Sequence, residues 1–186
     1  MREEILMQHD ESTVRRLSKM QAATFSTGQR ILLLSVSSAL ILLGFGLLYD
    51  FGRPFRYVLL AFGCILIVNI GVLSDLKAEK TLSAIQKQGG EYPCTKMIFT
   101  EHSIQVTEKG SKPHTVKYAD LYHLAEDKEF CYLFLTREAA YMVPKGQINN
   151  LPVFMVFLEK TTGKSFTKPR NLLAFRLKDL LASFRK

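Results

Sequence analysis

The chain has 186 residues, with 25 lysines and arginines against 17 aspartates and glutamates, for a formal net charge of +8. That length holds one ordinary domain plus an accessory element. Its three cysteines lack C-x-x-C spacing, which argues against a disulfide or zinc framework.

The charges are unevenly placed. Between Ile31 and Leu73 the only ones are Asp50, Arg53 and Arg56, all in a short central gap. This is the pattern of a soluble domain anchored in a membrane. Residues 1–30 read as a cytoplasmic segment: "EEILMQH" as a short strand, then "DESTVRRLSKMQAATF" as a helix leading into the membrane, started by Asp10 or Ser12.

Two uncharged runs occupy 31–73: Ile31–Tyr49, of 19 residues, and Tyr57–Leu73, of 17. At about 1.5 Å per residue the first matches a ~30 Å hydrocarbon core. Gly52 and Pro54 in the gap 50–56 forbid a continuous helix, so a transmembrane helical hairpin is expected over 31–49 and 57–73. A cleaved signal peptide is a poorer reading of the first run, since mostly polar residues precede it and its core exceeds the usual ~7–15.

Arg15, Arg16, Lys19 and Arg30 before the hairpin, and Lys77, Lys80 and Lys87 after it, outweigh Arg53 and Arg56 of the turn. That balance puts both termini in the cytoplasm. Ser35 and Ala39 on the first helix, and Gly63 and Cys64 on the second, are small enough for close approach. Asn69 is the polar residue of the second run, and it either bonds across to the first helix or marks a functional path.

Residues 74–90 contain "DLKAEKTLSAIQKQGG", a stalk helix with Leu76, Leu82 and Ile85 on a partial apolar face and Gly89–Gly90 as its stop. From Tyr92 to Pro144 the period shifts to two. "TKMIFT", "SIQVTE", "HTVKY", "DLYHLAE", "EFCYLFLT" and "AAYMVP" predict six short antiparallel strands. "NNLPVFMVFLEKTTG" predicts a helix capped by Asn149 or Asn150, with Pro152 early and Gly163 at its end. Residues 91–163 are therefore expected to form a small antiparallel sheet or barrel closed by one helix, the pleckstrin-homology type of arrangement.

Inside this region, "FCYLFLTREAAYMVPKGQI" (Phe130–Ile148) has the side chains of a reactive pocket. Alternation accounts for it better as scaffold. Phe130, Tyr132, Phe134 and Thr136 share one face, Cys131, Leu133 and Leu135 the other, and Arg137–Glu138 lie at the turn.

The order of hairpin, strand-rich region, "YADLYHLAEDKEFCYLFLTREAAYMVPKGQI" and helix resembles the bacterial YcxB-like protein family, over roughly Ile31–Lys160. The resemblance rests on the strand opened by Tyr118, the aromatic–aliphatic strand after it, and the ending Val143-Pro144-Lys145. It implies an α+β membrane protein of the bacterial plasma membrane with a pleckstrin-homology-like cytoplasmic domain. It carries over no functional residues.

The tail, 164–186, goes beyond that resemblance. It carries Lys164, Lys168, Arg170, Arg176, Lys178, Arg185 and Lys186 against the single acid Asp179, and Leu173, Leu177, Leu180, Leu181 and Phe184 follow helical spacing. Such a basic amphipathic helix is suited to an anionic lipid surface, and equally to packing on the domain with its charges in water. The tail lacks interleaved stacking aromatics, and with the anchor this argues against nucleic acid as a partner.

Catalytic signals are sparse. His9, His102, His114 and His123 show no H-x-x-x-H pair, although His114 and His123 are placed to meet across neighbouring strands. "AEDKE" reads as a solvated turn, and no phosphate-binding glycine motif or nucleophile elbow occurs. The reading is a non-enzymatic membrane-anchored binding or scaffold protein with no cofactor or metal, whose partners are anionic lipid and a protein or a second copy. An oligomeric transport or sensor component built around Asn69 is the alternative, and a membrane enzyme the weakest reading.

Overall fold

A computed structural model describes residues 3–45, 53–87, 89–108 and 110–168, with the side chains of 53–56 and 70–74 left undescribed. These residues form seven strands and four α-helices. In chain order they are β1 (Glu3–Gln8), α1 (Glu11–Phe25), α2 (Thr27–Phe45), α3 (Arg53–Lys87), β2 (Cys94–Phe99), β3 (Ser103–Glu108), β4 (His114–Lys117), β5 (His123–Glu126), β6 (Phe130–Phe134), β7 (Ala140–Pro144) and α4 (Leu151–Thr162). All six strands expected between Tyr92 and Pro144 form. Together with β1 they make two antiparallel sheets, β1-β2-β3-β4 and β5-β6-β7.

The chain makes two compact units. One joins Met1–Phe25 to Lys77–Pro169, and the other contains Ser26–Leu76. The first is wider than the span 91–163, because β1 is part of it. Six residues of β1 pair antiparallel with β2, from Glu3 opposite Phe99 to Gln8 opposite Cys94. Ile5 and Met7 go into the core with Met97, Phe99, Ile104 and Val106, while Leu6 stays exposed, the alternation of a half-buried sheet.

Gln147 finishes the free edge of β1. Its amide accepts from the Leu6 N–H at 3.0 Å and donates to the Leu6 carbonyl at 2.9 Å. Occupied at Leu6, the edge offers an interrupted ladder to intermolecular pairing.

The second sheet is buried on both faces. Cys131, Tyr132, Leu133 and Phe134 are all fully buried. One face is covered by α1: Phe25 packs edge-on against Phe134 with ring centroids 4.9 Å apart, and the Arg16 guanidinium lies 5.1 Å over Phe130. Asp10 starts α1 with a capping box. Its Oδ1 accepts from the Thr13 N–H at 2.7 Å, and its own N–H donates to Thr13 Oγ1 at 2.8 Å.

At the other end of the domain, Asn150 caps α4 through the Val153 N–H, and Gly163 ends it in the left-handed conformation at φ 68°. Phe154 and Leu158 are the buried residues of α4, and Phe154 meets Phe99 edge-on at 5.0 Å.

The stalk expected over 74–90 is not a separate helix. It continues α3, which runs unbroken for 35 residues, about 50 Å at the usual rise. No Gly or Pro lies between Gly71 and Gly89, so a fall in hydropathy there does not end the helix. The end comes at Gly89 and Gly90, both at positive φ. Their N–H groups return to the carbonyls of Gln86 and Ile85 in a Schellman motif.

Of the two expected spans, one helix among the described residues is long and apolar enough to cross a membrane, Thr27–Phe45; Tyr57–Asn69 is a shorter apolar stretch. Of the turn expected over 50–56, residues 53–56 are the first turn of α3, where Pro54 is tolerated because its missing N–H has no helical partner, and 50–52 lie outside the described residues, as do 46–49.

Within the helical unit the burial is inverted relative to a soluble core. Ile31, Leu32, Leu34, Val36, Leu42 and Leu43 of α2, and Val58, Phe62, Ile65 and Val68 of α3, are exposed. Ser37 is buried, and its hydroxyl donates to the Gly63 carbonyl at 2.6 Å. The close approach expected at Ser35, Ala39, Gly63 and Cys64 thus occurs at Ser37 and Gly63, while Ser35, Ala39 and Cys64 are exposed. A Cβ on Gly63 would lie 2.8 Å from Ile41 Cγ1 and 3.2 Å from the Ser37 carbonyl. Gly63→Leu is therefore expected to force the helices apart. A disulfide-trapping pair across α2 and α3 would lose most of its crosslinking yield in that variant, whereas Cys64→Leu would leave the yield unchanged.

Candidate functional site

Asn69 lies exposed on α3 and donates to the carbonyl of Ile65 at 2.9 Å, four residues back in its own helix. The expected bond across to the first helix is not made. A polar side chain satisfied in this way needs no neighbouring helix.

The basic tail falls into two parts. Arg170, Arg176, Lys178, Arg185 and Lys186 lie outside the described residues. Lys164 and Lys168 belong to a strap that runs along the outer edge of β5. Lys164 is half-buried and donates from Nζ to the Leu121 carbonyl. Thr167 forms a parallel bridge with Ala125: the Glu126 N–H donates to the Thr167 carbonyl at 2.9 Å, and the Thr167 N–H donates to the Leu124 carbonyl at 3.1 Å.

Between these points the Phe166 ring packs on the core, and its N–H donates to Glu159 Oε1 at 2.7 Å. Lys168 is 80% exposed and reaches Glu126 Oε1 at 3.3 Å.

Glu126 belongs to "AEDKE", and the solvated turn expected there is instead an organised cluster. Glu126 is buried, and Lys145 donates to its Oε2 and, at 2.7 Å, to the Asp127 carbonyl. Asp127 accepts from the Tyr132 hydroxyl at 2.6 Å and from the N–H groups of Glu129 and Phe130 at 2.8 and 2.7 Å. Arg16 of α1 closes the group through Glu129 at 2.6 Å.

Burial alone would raise the Glu126 carboxyl. The hydrogen bonds from Lys145 and Lys168 outweigh it and hold the group below the usual carboxylate range. Burial also pushes the Cys131 thiol up to about 12, so it stays protonated at neutral pH and is inert as a nucleophile.

The histidines do not meet. His114 lies on the first sheet with Nε2 2.8 Å from the Tyr141 hydroxyl, and His123 lies on the second, 2.8 Å from Thr167 Oγ1. Burial, and then the charge of Lys164, lower the pKa of His123. Among the described residues, no group of three or more His, Cys, Asp or Glu is placed to hold a metal ion.

An open cleft of about 570 Å³ lies between the β2–β3 turn, β4 and the end of α4, lined by Glu101, His102, Ser103, Lys117, Tyr118 and Thr161 among others. Its tyrosine hydroxyl is committed to the Thr100 carbonyl at 2.6 Å, and Thr161 bonds back to the Phe157 carbonyl at 2.7 Å.

Sequence reasoning missed the strap and the ion cluster. Glu126 and Lys145 are 19 residues apart, and only the sheet brings them together. A short signal for the strap was present in "KSFTKP", a β-branched and aromatic pair between lysines and ended by a proline.

Compared with family models, curated proteins and solved structures, nothing matches this chain. The functional reading therefore rests on the geometry.

Proposed function

We propose that the chain is a non-enzymatic membrane-anchored binding or scaffold protein, and that a two-helix transmembrane hairpin is inserted between the first and second strands of its domain. One observation carries this reading: β1 and β2, on either side of the insertion, are hydrogen-bonded neighbours over six residues. Both ends of the insertion must then lie on the same side of any membrane it enters. A chain that goes out through α2 has to return, and α3 is the segment available for it.

The outward-facing apolar side chains on both helices support the same reading, as does Ser37, buried and bonded to the Gly63 carbonyl where the helices approach. At about 50 Å, α3 is long enough to cross a ~30 Å core and continue into the domain. Sheets of four and three strands closed by α4 fit a pleckstrin-homology-like module of the YcxB-like kind. The basic residues flanking the hairpin favour a cytoplasmic location at the bacterial plasma membrane for the domain and both termini.

Anionic headgroups are the partner we propose for Arg170, Arg176, Lys178, Arg185 and Lys186, each basic residue near such a surface contributing about 1 kcal/mol. Lys164 is left out of that surface because its ammonium bonds the Leu121 carbonyl, whereas Lys168, 80% exposed, belongs to the proposed surface with them.

Alkaline carbonate extraction tests the anchor: the full chain should stay with the membrane pellet, and release into the supernatant would overturn the reading. A fluorophore at position 183 should shift to shorter wavelength in nanodiscs containing anionic lipid and not in neutral ones. Equal spectra in the two would remove lipid from the list of partners.

A further inference from the structure

The outer edge of β5 presents a graded set of acceptors to whatever lies along it. The Leu121 carbonyl is at one end, the Glu159 carboxylate is at the middle, and the Glu126 carboxylate is at the other end; the backbone of Leu124 and Glu126 lies between. An apolar seat for one aromatic ring sits at the centre, filled here by Phe166. This arrangement complements an extended segment that is basic at both ends and aromatic in the middle. The segment Lys164-Ser165-Phe166-Thr167-Lys168 is of that kind.

The occupant is short and weakest at its end. Thr167 is tied to β5 by two backbone bonds and by its hydroxyl to His123 and the Leu124 carbonyl, and Lys164 and Phe166 hold the segment before it, but Lys168, 80% exposed, makes only a solvent-screened pair with Glu126. Pro169 has no N–H with which to carry the ladder further. A longer partner strand, free of that proline, would gain backbone bonds that the strap cannot make.

We propose that the β5 edge is a peptide-docking site, closed in cis by Lys164–Lys168 and taken in trans by an extended segment of a partner protein with the pattern basic–x–aromatic–hydroxyl–basic. The added strand supplies affinity through main-chain bonds, one of them to the Glu159 carboxylate, and the ring seat, the Leu121 carbonyl and the Glu126 carboxylate supply specificity. This rests on the reading of the domain as a binding module and names its class of partner. Its test needs no lipid bilayer, so carbonate release would leave the peptide result standing, and a failed peptide assay would leave the anchor intact.

The experiment uses the full chain in detergent micelles and a fluorescent peptide copying residues 164–168, Lys-Ser-Phe-Thr-Lys. In the double variant Phe166→Ala, Thr167→Pro the strap loses its ring and its donor N–H, and the peptide should bind at least tenfold tighter than to the wild-type chain. A peptide with glutamate in place of both lysines should lose at least tenfold on the same variant.

The proposal is overturned if the variant, with the near-ultraviolet tyrosine signal of a folded domain, binds no tighter than wild type. Equal binding of the charge-reversed peptide overturns it as well. Should the variant not fold, a peptide with a photoreactive phenylalanine decides the matter on the wild-type chain in excess peptide. Crosslinks within Leu121–Glu126 support the site, and crosslinks elsewhere or none at all reject it.

Discussion

Replacing Lys145 by methionine should lower the stability of the β domain by about 3 kcal/mol, because it leaves the Glu126 carboxylate buried without its nearest counter-ion. The two side chains are 15% and 9% exposed, which places the pair well inside the surface. Lys168 remains at 3.3 Å but is 80% exposed, so it offsets only part of the loss. The Asp127 carbonyl also loses a donor. Denaturant unfolding of the solubilised chain, followed by near-ultraviolet circular dichroism, reads the effect. The double variant Lys145→Met, Glu126→Leu should recover at least half of it, since removing both charges avoids the orphan. A single variant within about 0.5 kcal/mol of wild type would show that the cluster is effectively solvated.

The same cluster sets a pH dependence. The folded Glu126 carboxyl ionises below the range of the unfolded chain, owing to Lys145 and Lys168 acting against burial. Its contribution is therefore fully present above the usual carboxylate pKa and is lost as pH falls through the lowered folded value. The wild-type domain should lose stability on acidification below about pH 4.5, the ordinary value of a glutamate carboxyl. The double variant should show a shallower loss over that window. An equal slope in both proteins would assign the acid sensitivity to other groups.

Phe154→Ala should cost about 4 kcal/mol, the usual range for emptying a fully buried aromatic site. Phe154 is the centre of the α4 contact: it is fully buried and meets Phe99 edge-on at 5.0 Å and 79°. Its neighbours on α4 do not compensate, because Val153 and Val156 face outward at 54% and 63% exposure. Loss of the ring acts at a distance too. Glu159 of α4 accepts the Phe166 N–H, so a loosened helix should also free the strap and raise amide exchange at Glu126 and Thr167. Val156→Ala, on the exposed face, should change stability by less than about 0.5 kcal/mol.

The local elements were legible in the sequence for local reasons. Asn150 and Gly163 bracket α4 as caps do, and period-two alternation marks β2 and β3, whose outer faces meet solvent. The division into two sheets was not legible. β6 is buried on both faces, so its alternation no longer separates inside from outside. The pairing of β1 with β2 spans the whole helical insertion, and no local pattern encodes a partner that far along the chain.

The boundary at Leu73 was drawn where hydropathy drops, whereas a helix ends where its hydrogen bonds are capped, at Gly89–Gly90. For the candidate sites, the basic residues were visible as charge. Which of them are committed to the fold, as Lys145 and Lys164 are, depends on carbonyls and carboxylates that only the folded sheet brings near.

The central claim is that the chain leaves and re-enters one side of a membrane between two strands of the same sheet. Sidedness of cysteine labelling tests it most directly. In a background with Cys64 and Cys94 replaced by serine, single cysteines are introduced as Phe51→Cys, between α2 and α3 in the sequence, and as Lys112→Cys, between β3 and β4. A membrane-impermeant maleimide added to intact cells should label position 51 and spare position 112, and both should react once the cells are opened. Labelling of both positions from outside, or of neither, would contradict the hairpin.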